Sequence, residues 1–199
     1  MDAEGPGGAS SSDRDSSAAE QPVVVSWVAC GSSHSLALLS SDIALSWGRG
    51  EDGQLGHGDA DERKEPEAIY GLLNEGVTSV HSGAEYSLAC CRQRKEVFSW
   101  GWGDFGRLGH GDARDVFIPR AIPGLSGKSV RDVACGDTHT LVSTFDGELW
   151  GFGRNQNGQL GLGHIDDAFA PQCVTDLKIE PTVSPALQQS IQNVIPGVG

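Results

Sequence analysis

Cysteine and histidine, the side chains that most often carry catalysis or bind metals, do not follow a catalytic or ligand spacing in this chain. There is no Cys-x-x-Cys pair, and Cys90 and Cys91 are neighbours in a predicted strand, where adjacent side chains point to opposite faces. The six histidines are spread one or two to a sequence repeat instead of clustering at metal-ligand spacing. We therefore predict reduced thiols, no metal ion and no cofactor. The five cysteines are Cys30, Cys90, Cys91, Cys135 and Cys173.

The sequence also lacks the motifs of common enzyme classes. It contains no Gly-x-x-x-x-Gly-Lys-Ser/Thr phosphate loop, no serine nucleophile elbow and no His-Glu-x-x-His pair. Its many Gly-x-Gly strings are not followed by a helical pattern, so they are poor candidates for dinucleotide binding. We predict that the chain is not an enzyme and has no catalytic residues.

The charge of the chain excludes further classes of function. The 27 Asp and Glu residues outnumber the 14 Lys and Arg residues and give a net charge of −13. Binding to a phosphate backbone requires clustered basic residues, and a membrane span requires about eighteen consecutive apolar residues. The acidic start, Met1-Asp2-Ala3-Glu4, does not resemble a signal peptide. We expect no direct contact with nucleic acid or membrane, and a location in the cytoplasm and nucleus.

A glycine-rich string occurs three times and indicates the elements that must position any site. Gly53-Gln54-Leu55-Gly56-His57-Gly58 is followed by a similar string at 106–111 and another at 158–163, at spacings of 53 and 52 residues. Ala29-Cys30-Gly31-Ser32-Ser33-His34-Ser35 has its counterpart at 134–140, and Tyr86 occupies the histidine position of the middle copy. This period is typical of repeat architectures.

Each repeat contains short apolar or β-branched runs separated by turn residues. The predicted strands are 23–30, 35–39, 43–47, 77–81, 87–91, 96–100, 130–135, 140–144 and 148–152. Ser41-Asp42 and Asp146-Gly147 have the composition of hairpin turns. No stretch of helical period occurs in 23–173. The sequence predicts an all-β fold built from β-propeller blades, in three repeats of about 52 residues.

Some repeated residues are expected to have structural roles. The glycines would allow positive φ and close backbone approach, the leucine between them would fill the space between blades, and His34 and His139 would tie a turn to the next strand. The aromatic-Gly-x-Gly string ends in Asn155 in the third copy, and we expect Asn155 to accept positive φ there. The structural glycines are Gly53, Gly58, Gly106, Gly111, Gly158 and Gly163.

Both ends depart from the repeat. Residues 1–22 have the composition of a disordered acidic Ser/Gly-rich tail, and 176–199 lack the repeat signature. We predict three repeats at about 23–70, 77–123 and 130–175, with disordered termini.

The three repeated motifs resemble those of the regulator-of-chromosome-condensation repeat family, whose full members form seven-bladed propellers. The resemblance covers residues 23–175, and within the family the strings at 46–60, 99–111 and 153–163 are most similar to the plant ultraviolet-B photoreceptors. It implies an incomplete seven-bladed propeller. In those photoreceptors, tryptophans beside arginines absorb the light, a dimer is held by Arg–carboxylate pairs, and the light-released monomer binds an E3 ubiquitin ligase. The resemblance also implies self-association or binding to a full-length homologue.

The photoreceptor resemblance further implies an interface on the loops of the blades. Trp102 matches a tryptophan at the rim of that interface, whereas Trp47 and Trp100 fit either the blade core or the sensor. The implied interface charges are Glu51, Asp52, Asp61, Asp104, Asp115 and Arg154. Each of them also fits an ordinary solvated loop charge.

The sequence departs from the photoreceptors in two respects. It has no Gly-Trp-Arg-His-Thr motif, which carries their main chromophore, and no C-terminal Val-Pro recognition motif. We expect a truncated form that does not sense ultraviolet-B by itself. Two alternatives stay open: a guanine-nucleotide exchange factor for a small GTPase, and a non-catalytic interaction scaffold.

Overall fold

The computed structural model describes residues 23–175, which form three four-stranded antiparallel sheets. The predictions for 1–22 and 176–199 lie outside the described residues. Blade one contains β1 (Val25–Cys30), β2 (His34–Leu39), β3 (Ala44–Gly48) and β4 (Arg63–Ala68). Blade two contains β5 (Ser79–Ser82), β6 (Tyr86–Cys91), β7 (Glu96–Gly101) and β8 (Val116–Ala121). Blade three contains β9 (Val130–Cys135), β10 (His139–Thr144), β11 (Leu149–Gly153) and β12 (Ala168–Cys173).

Within each sheet the strands follow chain order, and the first strands of successive blades contact one another. Three single-turn 3-10 helices, Tyr70–Leu72, Asp104–Gly106 and Pro123–Leu125, are the only helical segments in 23–175. The tight turns at the blade tips have the expected left-handed residues, since Asp42 has φ 63° and Gly147 has φ 84°. The all-β prediction of propeller blades is confirmed.

The sequence located three strands in each unit but not the fourth. The fourth strands β4, β8 and β12 are polar or half-exposed, and each contains a proline, namely Pro66, Pro119 and Pro171. Proline lacks the N–H that a central strand needs, so it is confined to edge strands. The recurrence of proline at one place in each unit was the signal for an outermost strand.

The hydrophobic core lies between blades, because alternate residues of each strand point to opposite neighbours. Leu36 of blade one packs in one buried cluster with Val80 and Trp100 of blade two. Leu88 of blade two packs in a second cluster with Phe152 of blade three. The two adjacent cysteines confirm the alternation, since Cys90 belongs to the second cluster and Cys91 to the first.

The repeated Gly-x-Leu-Gly-x-Gly loops have the predicted packing role. Leu108 is 1% exposed and belongs to the cluster between blades two and three. Gly106 adopts φ 77°, and a Cβ there would lie 2.4 Å from the Cα of Phe169 in blade three. The other five predicted structural glycines also have positive φ. Positive φ is common to all six glycines, whereas close approach adds a second constraint at Gly53 and Gly106 and not at Gly111, Gly158 and Gly163.

The expectation for Asn155 was wrong, because the residue does not adopt positive φ. Its counterpart Gly103 has φ −96°, and a Cβ there would lie 2.1 Å from the carbonyl oxygen of Arg114. In blade three this position holds Asn155, whose buried side chain makes three hydrogen bonds. Its Nδ2 donates to the carbonyls of His164 and Asp166 at 2.9 and 3.1 Å, and its Oδ1 accepts from the Leu160 N–H at 3.0 Å.

Candidate interaction face

The glycine-rich loops that follow the third strand of each blade lie side by side and form a surface that we call the loop face. The loop face consists of residues 49–54, 102–107 and 154–159, together with Glu85, Asp115 and Asp137 from neighbouring turns. Two observations join these loops across blades. Glu85 and Asp115 both act on the ionisation of Asp52, and the Phe105 ring is shared by Arg107 and Arg154.

An acidic cluster occupies the blade-one side of the loop face. The Arg49 guanidinium lies 2.6 Å from Glu51, 3.5 Å from Asp52 and 3.7 Å from Glu85. Glu85 also accepts a hydrogen bond from Gln54 Nε2 at 2.8 Å. Three carboxylates therefore surround one guanidinium, which leaves the cluster negative.

The ionisation of Asp52 reflects this crowding. Partial burial raises the pKa of Asp52, and the carboxylates Glu85, Asp115 and Glu51 raise it further, while Arg49 opposes them. A cationic group arriving from a partner would relieve this repulsion.

A stack of aromatic and guanidinium groups occupies the blade-two side of the loop face. The Arg107 guanidinium lies 4.1 Å from the Trp102 ring centroid and 5.7 Å from that of Phe105, and Arg154 covers the Phe105 ring at 4.8 Å. Phe105 reaches this position with an unusual φ of 62°. Cation–π contact of this kind is stabilising and orients the indole.

Arg107 is the buried member of the stack. It is fully buried, and its Nε and Nη1 donate to the carbonyls of Asp104 and Asp137 at 2.9 and 3.3 Å. Its Nη2 has no partner, and no carboxylate lies within ion-pair distance of it among residues 23–175. Burial lowers the pKa of Arg107, with nearby acidic groups opposing that effect. A desolvated cation therefore lies directly against an indole ring.

The structure brings most of the predicted interface charges together on the loop face. Glu51 and Asp52 belong to the acidic cluster, Asp115 is close enough to raise the pKa of Asp52, and Asp104 lies in the loop that carries Arg107. Arg154 lies beside Phe105 and pairs with Gln156 Oε1 at 2.7 Å. Asp61 differs, because its hydrogen bonds are made by its backbone N–H and carbonyl to Asp59 and Arg63 of its own loop, although its backbone also packs against Gly50.

Asp115 also has a structural role that the sequence analysis did not assign. Its Oδ1 accepts a hydrogen bond from the Gly103 N–H at 2.8 Å. Asp167 makes the same bond to Asn155 N–H at 2.8 Å in blade three. The matching position of the two aspartates in their repeats was the signal for this role.

The three predicted tryptophans occupy different environments. Trp100 is fully buried between blades, and its Nε1 donates to the Gln54 carbonyl at 2.9 Å. Trp47 is half-buried on the outer side of blade one, and Trp102 is half-buried on the loop face. Among residues 23–175 these rings make no ring–ring contact with one another.

The ring at the histidine position packs against the glycine of its own turn, Gly31 for His34 and Gly136 for His139, and His34 also connects blade one to the next blade. His34 Nε2 lies 2.9 Å from the hydroxyls of both Ser82 and Ser87 in blade two. Tyr86 donates from its hydroxyl to the His139 carbonyl of blade three at 2.7 Å. Burial lowers the pKa of His34 to about 4, with Glu85 opposing.

His139 is half-buried and makes no side-chain hydrogen bond within 23–175. In that part of the chain, no group of three or more His, Cys, Asp or Glu side chains is arranged to hold a metal ion. None of the described helices is long and apolar enough to cross a membrane.

Several residues of the loop face were missed by sequence analysis. Arg107 stands where blades one and three have glutamine, next to the additional Trp102, and this substitution was the available signal. Phe105, Arg49 and Glu85 gave no pattern, because their proximity depends on how neighbouring blades are stacked.

Four-stranded blades stacked through glycine-rich loops define this molecule as a β-propeller-type repeat protein. The pattern described as "Regulator of chromosome condensation (RCC1) repeat" matches residues 43–90, 96–143 and 146–184, which is more than half of the chain. A second pattern of that description matches 24–54 and 130–159. The chain belongs to the RCC1 repeat family.

Known proteins support the closer resemblance. The Ultraviolet-B receptor UVR8 of Arabidopsis thaliana is 53% identical over 145 residues, which are 73% of this chain and 33% of that protein. The E3 ubiquitin-protein ligase HERC2 of Homo sapiens is 40% identical over 153 residues, 76% of this chain and 3% of that protein. The chain therefore spans about a third of UVR8 and a small part of HERC2.

Solved structures share the fold. Human WBSCR16 superposes with a TM-score of 0.68 at 28% identity, over 76% of this chain and 39% of that one. Prp20p of Saccharomyces cerevisiae gives a TM-score of 0.68 at 24% identity, over 77% of this chain and 39% of that one. The prediction of propeller architecture is thus confirmed by structures as well as by sequence.

Proposed function

We propose that the chain is an ultraviolet-B receptor-like signalling protein whose described blades supply the acidic half of a salt-bridged interface. Its partner is a second copy or a full-length homologue, and it acts in the cytoplasm and nucleus. The observation that carries this proposal is the loop face, where three carboxylates crowd around Arg49 beside the stack of Trp102 on Arg107. The 53% identity with UVR8 supports it.

The arrangement suits a reversible interface. The carboxylates of the acidic cluster are exposed or half-buried, so ion pairs to a basic partner are weakened by salt. The excess negative charge of the acidic cluster accelerates its encounter with a basic surface of the partner. Such an interface can be released without unfolding either partner.

Light sensing is a separate question from interface formation. The chain has an indole on a guanidinium at Trp102 and Arg107 but no Gly-Trp-Arg-His-Thr motif. We propose that association through the loop face is insensitive to ultraviolet-B in this chain. An E3 ubiquitin ligase is a downstream partner only for a form that responds to light.

The test is the mass of the complex, measured by light scattering during gel filtration, for the chain alone and mixed with UVR8. We expect the mass to fall between low ionic strength and about 1 M salt, because the part of the association that uses the loop face is lost. Glu51→Gln with Asp104→Asn should weaken it several-fold, because each exposed pair contributes roughly 0.2–1 kcal/mol. Glu65→Gln on β4 is the control for Glu51→Gln alone, since each removes one negative charge and Glu65 lies away from the loop face.

Two results would contradict the proposal. If salt and the double variant leave association unchanged, with itself and with UVR8, the loop face is not the interface. If ultraviolet-B converts the associated chain into monomers, the chain senses light and that part of the proposal is wrong.

A further inference from the structure

The two outer sheet faces of the described array carry the two halves of a blade–blade contact that the structure shows complete between blades one and two. We call the side of a blade that packs on the following blade its forward face, and the opposite side its rear face. In the complete contact, His34 of the forward face meets Ser87 at 2.9 Å, and the Gln54 carbonyl accepts from Trp100 Nε1 at 2.9 Å. The Gln54 carbonyl also accepts from the Ser87 hydroxyl at 2.8 Å.

The forward face of blade three repeats the first half of this contact. His139 begins β10 as His34 begins β2, and Gln159 occupies the place of Gln54 in the glycine-rich loop. His139 and Gln159 are both half-buried, whereas His34 and Gln54 are buried. The imidazole and the backbone carbonyl that make the contact are therefore present on blade three and are not covered by the other described residues.

The rear face of blade one repeats the second half. Ser35 pairs with Trp47 across β2 and β3, as Ser87 pairs with Trp100 across β6 and β7. Trp47 carries the same indole N–H as Trp100 but is half-buried instead of fully buried. The hydroxyl and the indole that make the contact are thus present on the opposite side of the array.

The apolar residues of the two faces match in the same way. Val28 of β1 is 66% exposed, whereas its counterparts Val80 and Val133 are 0% and 6% exposed against the preceding blade. On blade three, Leu141 is half-exposed, whereas its counterparts Leu36 and Leu88 are fully buried. Leu141 lines an open depression of ≈ 190 Å³ together with Asp132, Ala134, Ser143 and Leu149.

We propose that two copies of this chain associate head to tail, with the rear face of blade one of one copy stacking on the forward face of blade three of the other. The Trp47 indole then donates to the Gln159 carbonyl, and His139 meets the Ser35 hydroxyl. Val28 enters the apolar surface around Leu141. A second copy is the occupant because it offers these donors, acceptors and apolar side chains in the register of the internal contact.

One difference makes the contact between copies weaker than the internal one. Phe117 of β8 packs on Gly53 of blade one, and the corresponding residue of β4 is Lys64. An association between copies therefore lacks one aromatic contact. The contact is heterologous, so it yields a dimer, a closed ring or an extending chain according to its geometry.

Complementation of two variants tests this arrangement. Val28→Glu places a charge on the rear face, and Leu141→Glu places one on the forward face; each buries an unpaired carboxylate if the faces meet, and should raise the Kd at least about tenfold. Mixed in equal amounts, the two variants retain one intact pair of faces and should form a complex of twice the 20.9 kDa chain mass. Ile118→Glu on β8 is the control, because Ile118 is 60% exposed outside both faces.

The measurement is sedimentation of the 199-residue chain over a range of concentrations, in low and in about 1 M salt. Blade stacking is mainly apolar and should persist in high salt, which separates it from association through the loop face. The proposal is overturned if the wild-type chain stays monomeric, if both variants associate like the wild type, or if the folded variants do not complement each other. Circular dichroism establishes that each variant is folded.

Discussion

The buried His34 makes the stability of the array depend on pH. Its pKa falls from 6.5 to about 4 in the folded chain, chiefly because burial disfavours the imidazolium. The unfolded chain binds the proton more readily than the folded chain. The folded state is therefore most stable above pH 6.5, where His34 is neutral in both states, and it loses stability as the pH falls toward 4. Because of this difference in pKa, the free energy of unfolding is about 2 kcal/mol lower at pH 5 than at pH well above 6.5.

The comparison of wild type with His34→Gln isolates this contribution. Glutamine retains a polar side chain that can reach Ser82 or Ser87 but does not titrate, and the other histidines are common to both chains. The free energy of unfolding, measured by urea denaturation from pH 4.5 to 7.5, should fall more steeply for the wild type as pH decreases. Equal slopes for the two chains across this window would refute the assignment of a buried neutral histidine.

Two further predictions concern the contacts between blades. Gly106→Ala should destabilise the chain more than Gly147→Ala: both glycines have positive φ, which costs about 1–2 kcal/mol, but only at Gly106 does the added Cβ meet backbone of another blade. The midpoints of thermal unfolding of the two variants are compared. If both fall equally, the strain of positive φ alone explains the loss and the contact with Phe169 contributes nothing. Tyr86→Phe leaves the His139 carbonyl without its side-chain donor and should cost about 1–3 kcal/mol in urea denaturation, whereas an unchanged midpoint would show that water replaces the hydroxyl.

The fold could be predicted from the sequence because the residues that form the turns recur at the same positions in each repeat. A glycine that must adopt positive φ and a leucine that must fill a gap between blades recur at fixed spacing, so Gly106 and Leu108 had identifiable counterparts in the other units. The fourth strands escaped prediction, because an outermost strand buries little surface. Arg63–Ala68 therefore has no alternation of apolar and polar residues to detect.

The loop face could be predicted only in part. Its charges lie in the repeated loops, so the resemblance to the photoreceptors indicated Asp52 and Asp104 as candidates. The burial of Arg107 under Trp102 was not, because it depends on the backbone of Asp137 in the next blade. At Asn155, the sequence analysis expected a residue chosen for positive φ. The structure shows that the corresponding glycine, Gly103, is instead needed because the Arg114 backbone approaches it closely.

The prolines of the outermost strands protect the array against aggregation through its sheet edges. Pro66, Pro119 and Pro171 each remove a backbone donor from the strand at the rim of a sheet. An incoming strand would find an interrupted ladder of hydrogen-bonding groups there, and in blade one also the charges of Arg63 and Lys64. Growth of a cross-β fibre from these rims is therefore disfavoured, and contact between molecules is directed to sheet faces and loops.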